Sequence, residues 1–217
     1  ANGIKSSFTK NKKFFSGYVA YRGIGKSNLK SIEFFLGKGA HIVKYPINNS
    51  GDTNLVAVLK CNKSNSFSWK SKSSYLELSK TFNQFPDFAY DFLNHSDIFK
   101  WDIYVSKKNI ALIDKNITFI GDSAHSIVPF LGQGACLALE DSKNLANHLK
   151  NYHDIKVAQL KYKAERTKRI NMIASKSNHQ GFLNHLSNPL LIQSRNFLMQ
   201  RFPNTFIKNR LKKIWED

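Results

Sequence analysis

The sequence predicts an α/β protein: an antiparallel sheet with covering helices, set into a strand–loop–helix domain. Three observations carry that prediction. Four short segments rich in Val, Ile, Tyr and Phe follow one another, broken by Gly, Asn and Ser. A short apolar strand at Ile117–Ile120 then runs into a glycine-flanked loop and a helix. Helical patterns lie on both sides of it: Ser73–Phe85, with apolar residues spaced by three and four, and a long basic amphipathic stretch from Asp154.

Residues Ala1 to Lys13 are polar and turn-like. Strands are expected at Ser16–Arg22, Ile32–Leu36, His41–Pro46 and Asn54–Leu59, with hairpin turns at Gly37–Gly39 and Asn48–Gly51. Tyr75, Leu78 and Phe82 give Ser73–Phe85 one apolar helical face. A short second helix over Pro86–Leu93 and a strand over Ile98–Val105 follow. Beyond Ile120, helices are expected from about Ala135 to Lys150 and from Asp154 to about Asn178. After Pro189 the pattern fades.

Composition narrows the class. With 41% hydrophobic and 13% aromatic residues the chain holds enough apolar material for a core. No run of about 18 apolar residues suggests a membrane span. Cys61 and Cys136 are far apart and lack metal-ligand spacing, so a reducing cytoplasm is the expected compartment. The net charge of +18 comes from scattered basic residues in a background of Lys, Asn and Ile. No nucleic-acid-binding motif accompanies it. The run Lys161–Arg169 reads as a solvated helix face, and His148 and His153 as solvated residues.

The chemistry sits in Gly121-Asp122-Ser123-Ala124-His125, followed by Pro129, Gly132-Gln133-Gly134 and Glu140-Asp141. A strand delivers the Asp122 carboxylate at its end, suited to accept hydrogen bonds from sugar-like hydroxyls. Gly132 and Gly134 lack a Cβ, so a flat ligand can approach the backbone. A helix N-terminus offers unpaired N–H groups and partial positive charge. These parts suit a ligand with hydroxyls at one end and a ring that gains negative charge. Asp122, Ser123 and His125 lie on one tight loop and do not suggest a hydrolase triad; His125 is expected to pack or hydrogen-bond near this loop.

This constellation resembles the second FAD-binding motif of the flavoprotein aromatic hydroxylases, in particular the salicylate-hydroxylase-like group. Gly17–Gly23 resembles the family's strand entering the substrate domain, and Gly39–Pro46 its substrate-sheet strand. Ala1–Ser7 resembles the tail of the family's Asp-Gly motif, with Asn2 where Asp is usual. The resemblance implies an FAD-dependent monooxygenase. NAD(P)H reduces FAD, O2 adds at the flavin C4a position, and the hydroperoxide oxygenates a small aromatic substrate. It implies that Asp122 contacts the ribityl chain and that Pro129 sits beside the isoalloxazine ring. The backbone of Gly132, Gln133, Gly134 and Ala135 would stabilise charge at the N1/O2 edge. His41 and Tyr45, four residues apart, keep the spacing of a His–Tyr pair used by related hydroxylases, with His41 as the base.

The family's G-x-G-x-x-G motif does not open the chain; Gly23–Asn28 is a near miss read as a turn. The resemblance therefore implies a fragment, with residues 1–12 and 106–217 as a partial FAD-binding domain and 13–105 as the substrate-binding domain. Such a fragment is expected to bind FAD weakly or not at all, to be inactive in isolation, and to have the N-terminal FAD-binding segment as its partner. Two readings compete. One is a non-catalytic basic binding module on a decayed flavoprotein fold. The other is a nucleotide hydrolase with Ala20–Ser27 as a relaxed P-loop and Asp114 as its Mg2+ acid, against which bulky Tyr21 and Arg22 argue.

Overall fold

The structure, a computed structural model, describes residues 13–68, 70–106, 112–202, 212 and 214. The Ala1–Ser7 segment with Asn2 lies outside them. The chain divides into two compact units, Gly17–Ile103 with Phe182–Asp217, and Ala1–Ser16 with Tyr104–Gly181.

The sheet unit is built on six strands in the order β2-β3-β4-β1-β6-β5. They are β1 (Lys13–Lys26), β2 (Glu33–Leu36), β3 (Ala40–Pro46), β4 (Asp52–Lys60), β5 (Lys72–Ser73) and β6 (Ile98–Ser106). The two expected hairpins form, since β2 pairs with β3 and β3 with β4, both antiparallel. On one face of β1, Val19 and Tyr21 are buried. Helix α1 (Tyr75–Thr81) supplies Leu78 to the core, with Phe82 and Phe85 just beyond it. Tyr21 and Phe82 meet edge to face with centroids 5.4 Å apart. Helix α1 starts where Ser74 accepts a hydrogen bond from the Glu77 amide, a side-chain cap of the kind its Ser-x-x-Glu spacing favours. The expected helix over Pro86–Leu93 is instead two 3-10 turns, Asp87–Ala89 and Asp91–Leu93.

The P-loop reading is overturned here. Gly23, Gly25 and Lys26 do not form a phosphate-wrapping loop, nor the turn expected for them. They lie in β1, paired in register with Leu55, Thr53 and Asp52 of β4. Their glycines have a packing reason: a Cβ on Gly25 would stand 2.3 Å from the Phe92 carbonyl oxygen, and one on Gly23 would stand 2.9 Å from Leu93 Cδ1. The second 3-10 turn presses onto the strand where side chains are missing.

Helix α5 (Pro189–Arg201), absent from the sequence expectation, belongs to this unit. Asn188 caps it through Leu190 and Leu191, and Pro189 occupies its first turn. The expected division placed 182–217 with 106–181. The structure joins Phe182–Asp217 to the sheet, and short contacts show why. The Gly39 amide donates to the Leu186 carbonyl at 3.1 Å, and the His185 ring lies 4.6 Å from that of Tyr18.

The second unit holds the hairpin β7 (Ile113–Asp114) and β8 (Ile117–Thr118) and the helices α2 (Asp122–His125), α3 (Gly134–Asn151) and α4, which runs from Ile155 to Asn184. Leu112, Phe119, Ala124, Leu137, Ala158, Tyr162, Ile170 and Ile173 are buried. Buried polar ends find partners: Tyr162 donates to the Phe119 carbonyl at 3.0 Å, and Gln159 to Thr118 Oγ1 at 2.8 Å. No helix among the described residues is long and apolar enough to cross a membrane.

Candidate cofactor site

The loop between β8 and α3 is held from beneath by one carboxylate. Asp141, fully buried in α3, accepts the Gly121 amide on Oδ2 at 2.9 Å and Arg166 Nε on Oδ1 at 2.7 Å. His125 Nε2 stands 2.5 Å from the same Oδ2. An ionised carboxylate only accepts, so Nε2 carries the proton. Burial pushes the Asp141 carboxyl up, but the bonds from His125, the Gly121 amide and Arg166 outweigh it and hold the group below its ordinary range. Glu140 beside it takes Arg166 at 2.9 Å and Arg169 at 3.0 Å.

This corrects the reading of Lys161–Arg169 as a solvated face in part: Lys161, Lys163 and Lys168 are exposed as expected, but Arg166 is only 6% exposed and, with half-buried Arg169, neutralises the acids of α3. The reason is electrostatic: the buried Asp141 carboxylate, with half-buried Glu140 beside it, needs counter-charge. His148 is likewise not simply solvated, with Nε2 at 3.2 Å from Glu165. His125 packs as expected, against Asp141.

Above this node the loop turns outward. Gly121 takes φ 56° and ψ −145°, after which Asp122 and Ser123 are exposed while Ala124 and His125 are buried. Ser126 donates to the Tyr104 carbonyl at 3.1 Å, and Ser177 donates to the Val128 carbonyl at 2.6 Å. Pinned on both sides, the chain presents Pro129 to the exterior. The Gly132 amide closes a turn onto the Pro129 carbonyl at 3.0 Å. Gly132 sits at φ 65°, where a side chain is strained, and a Cβ there would meet no atom within 4 Å. Helix α3 then begins at Gly134, with Gln133 at its N-cap and no side-chain cap.

The amides of the first turn of α3 therefore face outward without a side-chain partner, at the positive end of an 18-residue helix. The Asp122 carboxylate is adjacent: a Cβ on Gly134 would lie 3.9 Å from Asp122 Oδ1. Burial lowers Lys13, while the nearby Asp122 charge raises it. Asp122, Pro129, Gly132 and Ala135 are exposed; Gln133 and Gly134 are half-buried. The structure thus brings the six sequence-nominated residues onto one short edge, open in front of Gly132. That edge has the donors for a ring edge bearing negative charge and an acceptor for hydroxyls, and no side chain of its own fills the space at Gly132. It fits the isoalloxazine and ribityl portion of FAD.

The other nominated pair is divided by burial. His41 is 4% exposed, with Nδ1 at 3.0 Å from His185 Nε2 and its ring stacked on Phe34 at 5.2 Å. Burial and then the neighbouring His185 push it down to about 3. Tyr45, two residues further along the same strand face than Val43, is exposed.

No protein-family model matches the chain. It is 24% identical over 192 residues to 3-amino-4-hydroxybenzoate 2-monooxygenase PtnB3 of Streptomyces platensis, covering 84% of this chain and 48% of that protein. Klebsiella pneumoniae HpxO complexed with FAD and uric acid superposes with TM-score 0.79 at 19% identity, over 94% of this chain and 54% of HpxO. A salicylate hydroxylase substrate complex superposes with the same TM-score, 0.79, at 19% identity, over 96% of this chain and 56% of the other. The fold is that of the FAD-dependent hydroxylases. The chain spans about half the length of these relatives.

Within this hydroxylase fold, sequence reasoning found the exposed edge and missed what supports it. The signal was present: Glu140-Asp141 on one helix and Arg166 with Arg169, three apart, on the next, in a chain with 15 acidic and 33 basic residues. It also missed Arg22 and Asn54, joined at 2.7 Å on adjacent strands.

Proposed function

We propose that this chain forms part of an FAD-dependent monooxygenase that oxygenates a small aromatic substrate with NAD(P)H and O2. One observation carries the reading: an uncapped helix N-terminus, an exposed acid and an unobstructed glycine share one edge of the Tyr104–Gly181 unit. When bound, FAD would supply the redox and oxygen chemistry.

The residues of the chain bind and orient. Asp122 accepts hydrogen bonds from ribityl hydroxyls. The amides of Gln133, Gly134 and Ala135 offer fixed N–H donors where negative charge develops, which requires no reorganisation at the moment of reaction, and the Gly132 backbone, bare of a side chain, leaves the approach to them open. Pro129, rigid in φ, provides a flat apolar contact for the ring. The node of Asp141, His125 and Arg166 fixes the turn that presents Asp122, so these act as positioning residues. His41 and Tyr45 belong to the substrate wall. His41, neutral above about pH 3, serves there as a hydrogen-bonding group and not as a proton acceptor. The 17–103 sheet would be the substrate-binding part and the 104–181 unit the cofactor part.

Flavin fluorescence tests this. Titrating the purified chain into FAD is expected to quench emission saturably, and Gly132→Val to weaken the effect by roughly tenfold or more. Equal quenching by the variant would overturn the reading.

A further inference from the structure

Helix α5 is turned inside out. Among its described residues only Arg195 is buried, at 4% exposure. Leu190, Leu191, Phe197 and Leu198 are 72%, 48%, 63% and 42% exposed. At about 100° per residue those four side chains fall within an arc of about 120°. Arg201 lies inside the arc, and the polar Gln193, Asn196 and Gln200 lie beside it. Phe202, 51% exposed, follows at the helix end.

The rotation that turns this face outward is fixed. Arg195 Nη1 donates to the Leu183 carbonyl at the end of α4, at 3.0 Å. Its Nε and Nη2 donate to Asn196 Oδ1 at 3.1 and 3.0 Å. Ile192 and Met199, half-buried, lie on the same side as Arg195. A cluster of large apolar side chains held in water marks an interface, and charge selects the partner. The chain carries a net charge of +18, and no Asp or Glu stands between Glu165 and Glu216. A second copy would therefore set cations against cations. An anionic lipid surface answers both features. Acyl chains take up the leucines and Phe197, while Arg201 extends its charge to the headgroups. At 13 residues the helix is about 20 Å long, too short for a hydrocarbon core of about 30 Å. A helix of that length lies along a bilayer surface.

We infer that α5 docks the chain on an anionic membrane surface, with Leu190, Leu191, Phe197 and Leu198 inserted among the lipids and Arg201 at the headgroups. Apolar insertion and charge attraction act together, so tight binding requires both.

Co-sedimentation of the purified chain with phosphatidylcholine vesicles, with and without phosphatidylserine, is the test. The chain is expected to bind the phosphatidylserine vesicles at least about tenfold more tightly, and less so as salt is raised. Leu190→Ser combined with Phe197→Ser is expected to weaken that binding by about tenfold or more, and Arg201→Gln by several-fold. All three positions are exposed, so the variants should fold, which circular dichroism confirms. Leu160→Ser, at a 63% exposed position on α4, should bind like the native chain. The inference is overturned if neither vesicle binds, or if the double variant or Arg201→Gln binds like the native chain. It is equally overturned if pure phosphatidylcholine binds as well, or if Leu160→Ser loses as much as the double variant. A dimer seen in sedimentation velocity and abolished by the double variant would also overturn it, in favour of a second copy.

Discussion

His125 and His41 are both nearly sealed from water, at 2% and 4% exposure, yet one faces a carboxylate and the other a second imidazole. In the Tyr104–Gly181 unit the buried polar cluster is charged: Asp141 is encircled by the Gly121 amide, His125 and Arg166. In the sheet unit the cluster is built of imidazoles: His41 and His185 share a hydrogen bond and pack against Phe34 and Tyr18, and burial disfavours the charged form of His41. The charged cluster fixes the geometry of the loop that carries Asp122 and leads into α3. The imidazole pair joins a strand to the segment after α4. Burying charge demands full partnering, and the first cluster has it; a buried imidazole has one donor and one acceptor to satisfy.

The sharpest way to break this contrast is to remove the central acid. Asp141→Ala leaves Arg166 without that carboxylate and the Gly121 amide without its acceptor, and should cost about 3–5 kcal/mol. Urea unfolding measures it, and a loss below about 1 kcal/mol would place the two clusters on equal terms.

Acid separates the clusters next. His41 has its folded value lowered to about 3, against an ordinary value near 6.5. The unfolded chain therefore binds the proton first. Stability from this site is complete above about pH 6.5 and declines as pH falls toward 3, at up to about 1.4 kcal/mol per unit. Asp141 is also depressed, but from a carboxylate value near 4, so its contribution is lost only as pH falls below that. Unfolding series at several pH values should show native stability falling by about 2–3 kcal/mol between pH 6.5 and 4. His41→Gln should flatten that window and keep the loss below pH 4. An unchanged slope in the variant would assign the window to other groups.

Gly25→Ala sharpens the comparison from the packing side, because it disturbs the sheet unit without touching either cluster. A Cβ 2.3 Å from the Phe92 carbonyl oxygen forces the 3-10 turn off the strand, with an expected cost of about 1–3 kcal/mol. Equal or greater stability in a thermal melt would contradict the close approach. Tyr45→Phe is the smallest change: the ring is exposed, so stability should move by no more than about 0.5 kcal/mol.

How far the sequence could be read follows the same physics. The hairpins of β2, β3 and β4 were readable because β-branched runs end at Gly and Asn turns. The exposed edge was readable because glycines, a proline and an acid are needed there by type. The full length of β1 was not: Gly23 and Gly25 look like a loop until the Leu93 and Phe92 that press on them are known. Helix α5 was hidden by its composition, with Leu190, Phe197 and Leu198 exposed instead of forming a buried stripe. The arginines on α4 read as a solvated run because their partners lie 26 and 29 residues away along the chain, on α3. The pairing of His41 with His185 spans 144 residues, and no local pattern announces it.

If the proposal holds, the first-turn amides of α3 and the Asp122 turn meet the flavin. Residue-resolved hydrogen exchange of the chain, with and without saturating FAD, addresses it directly. Slowed exchange at Gly134, Ala135 and Cys136, with no change across β3, is the predicted result. Protection confined to β3, or none anywhere under saturating FAD, would contradict it.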